Sequence, residues 1–160
     1  MKNLLAIVFV LFSLGQALAE DAAGAVSSYR RQHGLPGVST DAALTQLAHQ
    51  QAAAMARSGS LSHSVGGSFA SRVAGRGTAA ENIAMGTKNL SATLAMWKQS
   101  SGHNANLLRR GVTRIGVASA TGSNGRMYWA LIVAGPVEKR AALTLPGRRR
   151  AAGPRTLPEW

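Results

Sequence analysis

The chain has 160 residues, with 18 lysines and arginines, 6 aspartates and glutamates, 4 histidines and no cysteine. That length suits one domain with a full core, and the missing cysteines exclude a zinc ribbon, a thioredoxin-like pair and a cysteine nucleophile. A formal net charge of +12 draws a protein to lipid head groups, acidic polysaccharide or nucleic acid; the plainer reading is an alanine- and arginine-rich composition that aids solubility.

The first residues, "MKNLLAIVFVLFSLGQALA", begin with Lys2, run apolar from Leu4 to Phe12, and end in Ala17-Leu18-Ala19. This reads as a secretory signal peptide over 1–19. The apolar run is too short for a bilayer core of about 30 Å, so no integral membrane protein is expected once the leader is cleaved. The domain then occupies 20–136, where only Asp41 and Glu81 oppose eleven lysines and arginines after residue 21.

Residues 21–33 read as a helix capped by Asp21 and stopped by Gly34, with Val26, Tyr29 and His33 on one face. A stronger helix is expected over 40–57, where Leu44, Leu47, Ala48, Gln51 and Met55 recur at spacings of three or four. His49 lies beside that stripe and reads as an ordinary helix residue. "SLSHSVGG" (60–67) is a loop carrying His63, and 68–77 can hold a short helix. Residues 79–86 read as an extended segment. Ser91 is expected to cap a helix running to about Ser100, with Leu94 and Trp97 on one face. "SSGHNANLL" (100–108) reads as a turn carrying His103. Residues 111–121 alternate as a strand with Ile115 and Val117 on one face, "GSNG" supplies hairpin chemistry, and 126–135 is a strand apolar on both faces. A strand buried on both sides belongs in the middle of a sandwich. The fold class is therefore α+β: a three-layer α–β–α sandwich around a small antiparallel sheet. Residues 137–160, with Arg148–Arg150 and three prolines, read as a disordered basic tail. Its two readings are a solvated extension and an electrostatic tether to an anionic envelope.

Glu81 stands among Ala79, Ala80, Ile83 and Met85. A carboxylate in apolar company needs a cation, a metal or several N–H donors. Two imidazoles and a carboxylate, His63, His103 and Glu81, would suffice for Zn²⁺ with one open position, or for acid–base work beside a serine. Their spacing carries no HExxH or G-x-S-x-G pattern. The plain alternative is a buried Glu81–arginine pair with exposed histidines.

The segments "YRRQHGLPGVSTDAALTQLAHQQAAAMARSGSLSHS", "AAENIAMG", "MWKQSSGHNANLLRRGVTRIGVAS" and "MYWALIVAG" follow one another in that order. Together they resemble the CAP superfamily, or SCP domain, in its cysteine-free bacterial branch, over about residues 25–135. The resemblance implies an α–β–α sandwich with a polar cleft, in which His63, Glu81 and His103 match three of the family's four cleft residues. Ser100 takes the place of the second glutamate, a departure that weakens zinc and, more so, Ca²⁺. His63 and His103 are the metal-ligand candidates. Asn106 and Asn82 are supporting residues expected to make structural hydrogen bonds, and Asn104 and Asn106 to fix the turn. Trp97, Trp129 and Tyr128 are expected in the core.

Two functions follow. The first is a secreted or periplasmic binding module, its cleft holding a divalent cation and a small or envelope-derived ligand, with lipid, envelope polymer or another anionic surface as partner. The second is a hydrolase in which His63 or His103, with Glu81, activates a serine (Ser62, Ser64, Ser100 or Ser101) or a metal-bound water. The incomplete tetrad and the lack of a nucleophile motif favour the first. Specific nucleic-acid binding is not expected, because no interleaved aromatics or known module accompany the arginines.

Overall fold

A computed structural model of the chain describes residues 18–19 and 21–136. All but the last two residues of the expected leader, and the whole expected tail, lie outside the described residues. Among those described, no helix is long and apolar enough to cross a membrane.

Helix α1 covers 21–32 and ends as Gly34 turns left-handed at φ 69°, a conformation glycine adopts without a Cβ penalty. A short strand β1 (Ser39–Thr40) leads into α2 (Ala42–Ser58). Asp41 caps α2, its Oδ1 accepting from Leu44 N–H at 2.9 Å, and its Oδ2 pairs with Arg114 at 2.6 Å. Burial pushes the Asp41 carboxyl up, but the Leu44 N–H and the Arg114 guanidinium outweigh it and hold it below its ordinary value. Helix α3 (Phe69–Arg72), strand β2 (Ala79–Met85), helices α4 (Leu90–Gln99) and α5 (Ser101–Leu107), and strands β3 (Arg114–Thr121) and β4 (Met127–Ala134) complete the described chain.

The sheet order is β1-β3-β4-β2. β4 pairs antiparallel with both β2 and β3, while β1 pairs parallel with β3. The small antiparallel sheet expected is therefore present, with one two-residue parallel strand added at its edge. Alternation along β4 splits the core in two. Trp129, Leu131 and Val133 meet Val26 of α1, Leu94 and Trp97 of α4, and Leu107 of α5. Tyr128, Ala130 and Ile132 meet Leu44, Ala48, Ala52 and Met55 of α2. This is the three-layer α–β–α sandwich, and all three core aromatics are buried. On β3, Gly116 faces α2 so closely that an added Cβ would overlap the Leu44–Thr45 backbone and stand 2.6 Å from Leu44 O.

Two local expectations are corrected. Asn89, not Ser91, caps α4, accepting from Ala92 N–H. The segment expected as a turn at 100–108 is helix α5, so Asn104 and Asn106 are helical residues. On α1 the buried polar residues are Ser27 and Arg30, while His33 is exposed and hydrogen-bonds the Tyr29 carbonyl. Arg30 has no carboxylate partner among the described residues. It donates to the carbonyls of Pro36, Leu107 and Arg109 at 2.8–3.0 Å. Carbonyls freed at a helix C-terminus attract a cation, so Arg30 fastens the end of α5 to α1.

Candidate functional site

Strand β2 is the sheet's outer strand on the β4 side, and the candidate site is built around it. Its register with β4 sets Glu81 opposite Ile132 and Asn82 opposite Leu131, so the two side chains leave by opposite faces. Glu81 points to the α2 layer and Asn82 to the α4–α5 layer. An outer strand presents unpaired carbonyls every second residue, and side chains cover two of them here. Asn106 Nδ2 donates to Glu81 O at 3.2 Å, and Trp97 Nε1 donates to Ile83 O at 3.2 Å.

The Glu81 side chain is 1% exposed. Arg72 of α3 grips it twice, Nη1 to Oε2 at 2.7 Å and Nη2 to Oε1 at 3.0 Å. His63 Nδ1 reaches Oε1 at 2.8 Å. A carboxylate only accepts, so His63 carries its Nδ1 proton and its Nε2 is left over, on a side chain that is 52% exposed. Nε2 has no hydrogen-bond partner among the described residues. The loop is also held from beneath. Buried Gln51 of α2 donates to the carbonyl of Ser62, next to His63, at 2.6 Å, and Arg72 Nη2 donates to the His63 carbonyl at 3.0 Å. A Cβ at Gly66 would stand 2.6 Å from Gln51 Oε1 and would oblige the Gln51 amide to shift.

His103 lies near the start of α5. Its Nδ1 bonds Ser100 Oγ at 2.9 Å, and its carbonyl accepts from Asn82 Nδ2 at 3.0 Å. Asn82 Oδ1 in turn accepts from Asn106 Nδ2 at 3.0 Å. His103 makes no side-chain hydrogen bond with His63 or Glu81, though the His63 charge acts on it. Burial first, and then His63, lowers the His103 imidazole from its ordinary value. The structure therefore joins His63 directly to Glu81, and links His103 to them through Asn82 and Asn106.

The His103 shift gives a stability prediction. A histidine whose folded value is depressed favours the folded state above its unfolded value, about 6.5. That contribution is lost as pH falls through the folded value. Thermal unfolding should show Tm declining from pH 7.5 to 5, with a shallower decline in His103→Gln. The Asp41 contribution disappears only in more acidic solution, below about pH 4.

The donors for zinc are incomplete. Among the described residues no group of three or more His, Asp or Glu side chains is placed to hold a metal. Glu81 cannot turn to an ion without abandoning Arg72 and His63. Two imidazole Nε2 atoms remain, one short of the three protein ligands usual for an open zinc site.

Arg72 is the site residue that sequence reasoning missed. The need for a cation beside Glu81 was legible, but several arginines could have supplied it. Only the fold of 59–78 selects Arg72.

A three-layer sandwich with a histidine–carboxylate–arginine cluster at its outer strand defines the class. The profile of the CAP group, the cysteine-rich secretory protein family, matches residues 23–133, and the chain belongs to that family. No curated protein matches it. Among solved structures it is similar to an outer surface protein of Borrelia burgdorferi, at TM-score 0.65 and 16% identity, covering 71% of this chain and 89% of that one. It is similar also to an extracellular protein of Bacillus anthracis containing an SCP domain, at TM-score 0.65 and 23% identity, covering 76% of this chain and 41% of that one. A cysteine-rich secretory protein of Staphylococcus aureus gives TM-score 0.58 and 15% identity, covering 75% of this chain and 39% of that one. The chain thus spans about two fifths of the latter two proteins. At these identities the likeness concerns the fold.

Proposed function

We propose that this CAP-domain chain is a secreted binding module. Its cleft beside β2 offers the outer edges of His63 and His103 to a small or envelope-derived ligand. One observation carries the reading: the parts of a catalytic triad are divided between two rings. His63 has the carboxylate, and His103 has the hydroxyl. Nucleophilic catalysis needs a base within reach of the nucleophile and oriented by a third group on the same ring, and neither imidazole has both. Secretion is supported by the leader-like first residues and by similar structures described as outer-surface and extracellular. The surface suits an anionic partner, since of the three acids among the described residues Asp41 and Glu81 are consumed in ion pairs and Asp21 alone stays exposed without one.

The Ser100 Oγ to His103 Nδ1 distance of 2.9 Å is what favours the hydrolase alternative. The test is a panel of fluorogenic esters and peptides with wild type, Ser100→Ala and His103→Ala, beside sedimentation with phosphatidylglycerol vesicles at low and high salt. Background hydrolysis in all three proteins, with salt-sensitive vesicle binding, is expected. Turnover abolished by both substitutions would replace this reading with the hydrolase.

A further inference from the structure

We infer that the cleft holds its ligand through a phosphate-type oxyanion, gripped by His63, His103 and Arg109, and that it rejects a divalent cation. This rests on the reading of the cleft as a binding site and names the chemistry it takes.

The argument starts from charge. Glu81 is the one acid in the hydrogen-bonded network around β2, and it is closed to ligands. Both its oxygens are occupied by Arg72 and His63, and its side chain is 1% exposed. Arg72, itself 7% exposed, offsets its charge. Arg109 then adds a cation with no acid opposite it among the described residues. Its Nη2 lies 3.3 Å from Asn106 Oδ1, and Asn106 bonds both the Glu81 carbonyl and Asn82. Leaving the imidazoles out of the count, the network of Glu81, Arg72 and Arg109 has an excess of one positive charge. A dication entering it meets repulsion and no free carboxylate; an oxyanion meets attraction.

The donors agree with the charge. A guanidinium offers five N–H groups and accepts nothing, and its fork matches phosphate geometry. Since the lowered His103 favours its neutral form, the Ser100 hydroxyl can donate to Nδ1 and leave the proton on Nε2. His63, fixed by Glu81 at Nδ1, exposes Nε2, which becomes a second donor in the imidazolium form. Hard cations require oxygen ligands in number, and here the free groups are nitrogens.

The experiment follows the histidine ring signals of the purified chain by NMR. Sodium phosphate replaces sodium chloride at constant ionic strength, and Mg²⁺ and Zn²⁺ are titrated separately. His33 and His49, both exposed, serve as internal references. Saturable shifts of His63 and His103 with phosphate, absent from His33 and His49 and absent with Mg²⁺, are expected. Arg109→Gln should raise the apparent Kd about tenfold, the scale of one hydrogen bond to a charged group, with Tm unchanged. Phosphatidylglycerol vesicles that shift the same two rings identify a lipid headgroup as the source. Vesicles that leave them still, while phosphate moves them, identify a free anion; both outcomes support the inference. Metal ions moving both rings while phosphate moves neither overturn the inference and leave the cleft a binding site. If phosphate, metals and vesicles all leave the two rings still, the binding reading falls with it. Equal shifts of all four histidines with phosphate also overturn the inference.

Discussion

Glu81→Ala is expected to destabilise the protein by about 3–5 kcal/mol, the usual consequence of removing one partner from a buried ion pair. The loss comes less from the missing attraction than from what remains. Arg72, 7% exposed, would keep its charge with no carboxylate, holding only the carbonyls of Gly67 and His63. The damage should centre on 59–78, because α3 has no buried apolar residue to hold it and Glu81 ties both Arg72 and His63 to the sheet. Urea unfolding measures the loss, and hydrogen exchange locates it. Combining Glu81→Leu with Arg72→Met should recover most of the stability, since a well-packed apolar pair often replaces a buried ion pair at little cost. A loss below about 1 kcal/mol in Glu81→Ala, the range of exposed pairs, would mean that the pair is solvated.

Gly116→Ala should cost about 3 kcal/mol, at the upper end for overpacking a close-packed interior. That corresponds to roughly 10 °C in Tm for a domain of this size. The obstruction is backbone, at Leu44–Thr45 of α2, and cannot rotate away as a side chain would. The first turn of α2 is further fixed by the Asp41 cap and the Asp41–Arg114 pair. Gly24→Ala is the matched control. Gly24 lies exposed within α1, with open space around its missing Cβ, and the change should stabilise by about 0.5–1 kcal/mol through helix propensity. Equal Tm values for the two variants would contradict the close approach of α2 to β3.

The layers were legible because β4 repeats with period two and is apolar in both phases, which only a strand covered on both sides tolerates. Leu44, Ala48 and Met55 recur on one face of α2 for the equivalent helical reason. The errors lie where tertiary contacts override local preference. Ser100 to Leu108 has the glycine and asparagines of a turn, yet it forms α5 because Arg30, buried in α1, accommodates the carbonyls at its end. Strand β1 has two residues, too few to show a period. At the site, Glu81 announced its need for a partner by its apolar neighbours, and the family resemblance suggested His63. The identity of the cation depended on how 59–78 folds over α2, where glycines and serines leave little periodic signal. Likewise, the division of carboxylate and hydroxyl between two imidazoles depends on register and helix placement, which residue spacing does not record.

The most direct test of the account is the protonation of His63, read from long-range proton–nitrogen NMR correlations of the imidazole at pH 8. The carboxylate contact at 2.8 Å predicts a proton on His63 Nδ1 in wild type, and a mixture of tautomers in the Glu81→Leu/Arg72→Met variant. An unprotonated Nδ1 in the wild-type protein would contradict the account, because it would mean that Glu81 does not hold the ring and that Nε2 is not free to meet a ligand.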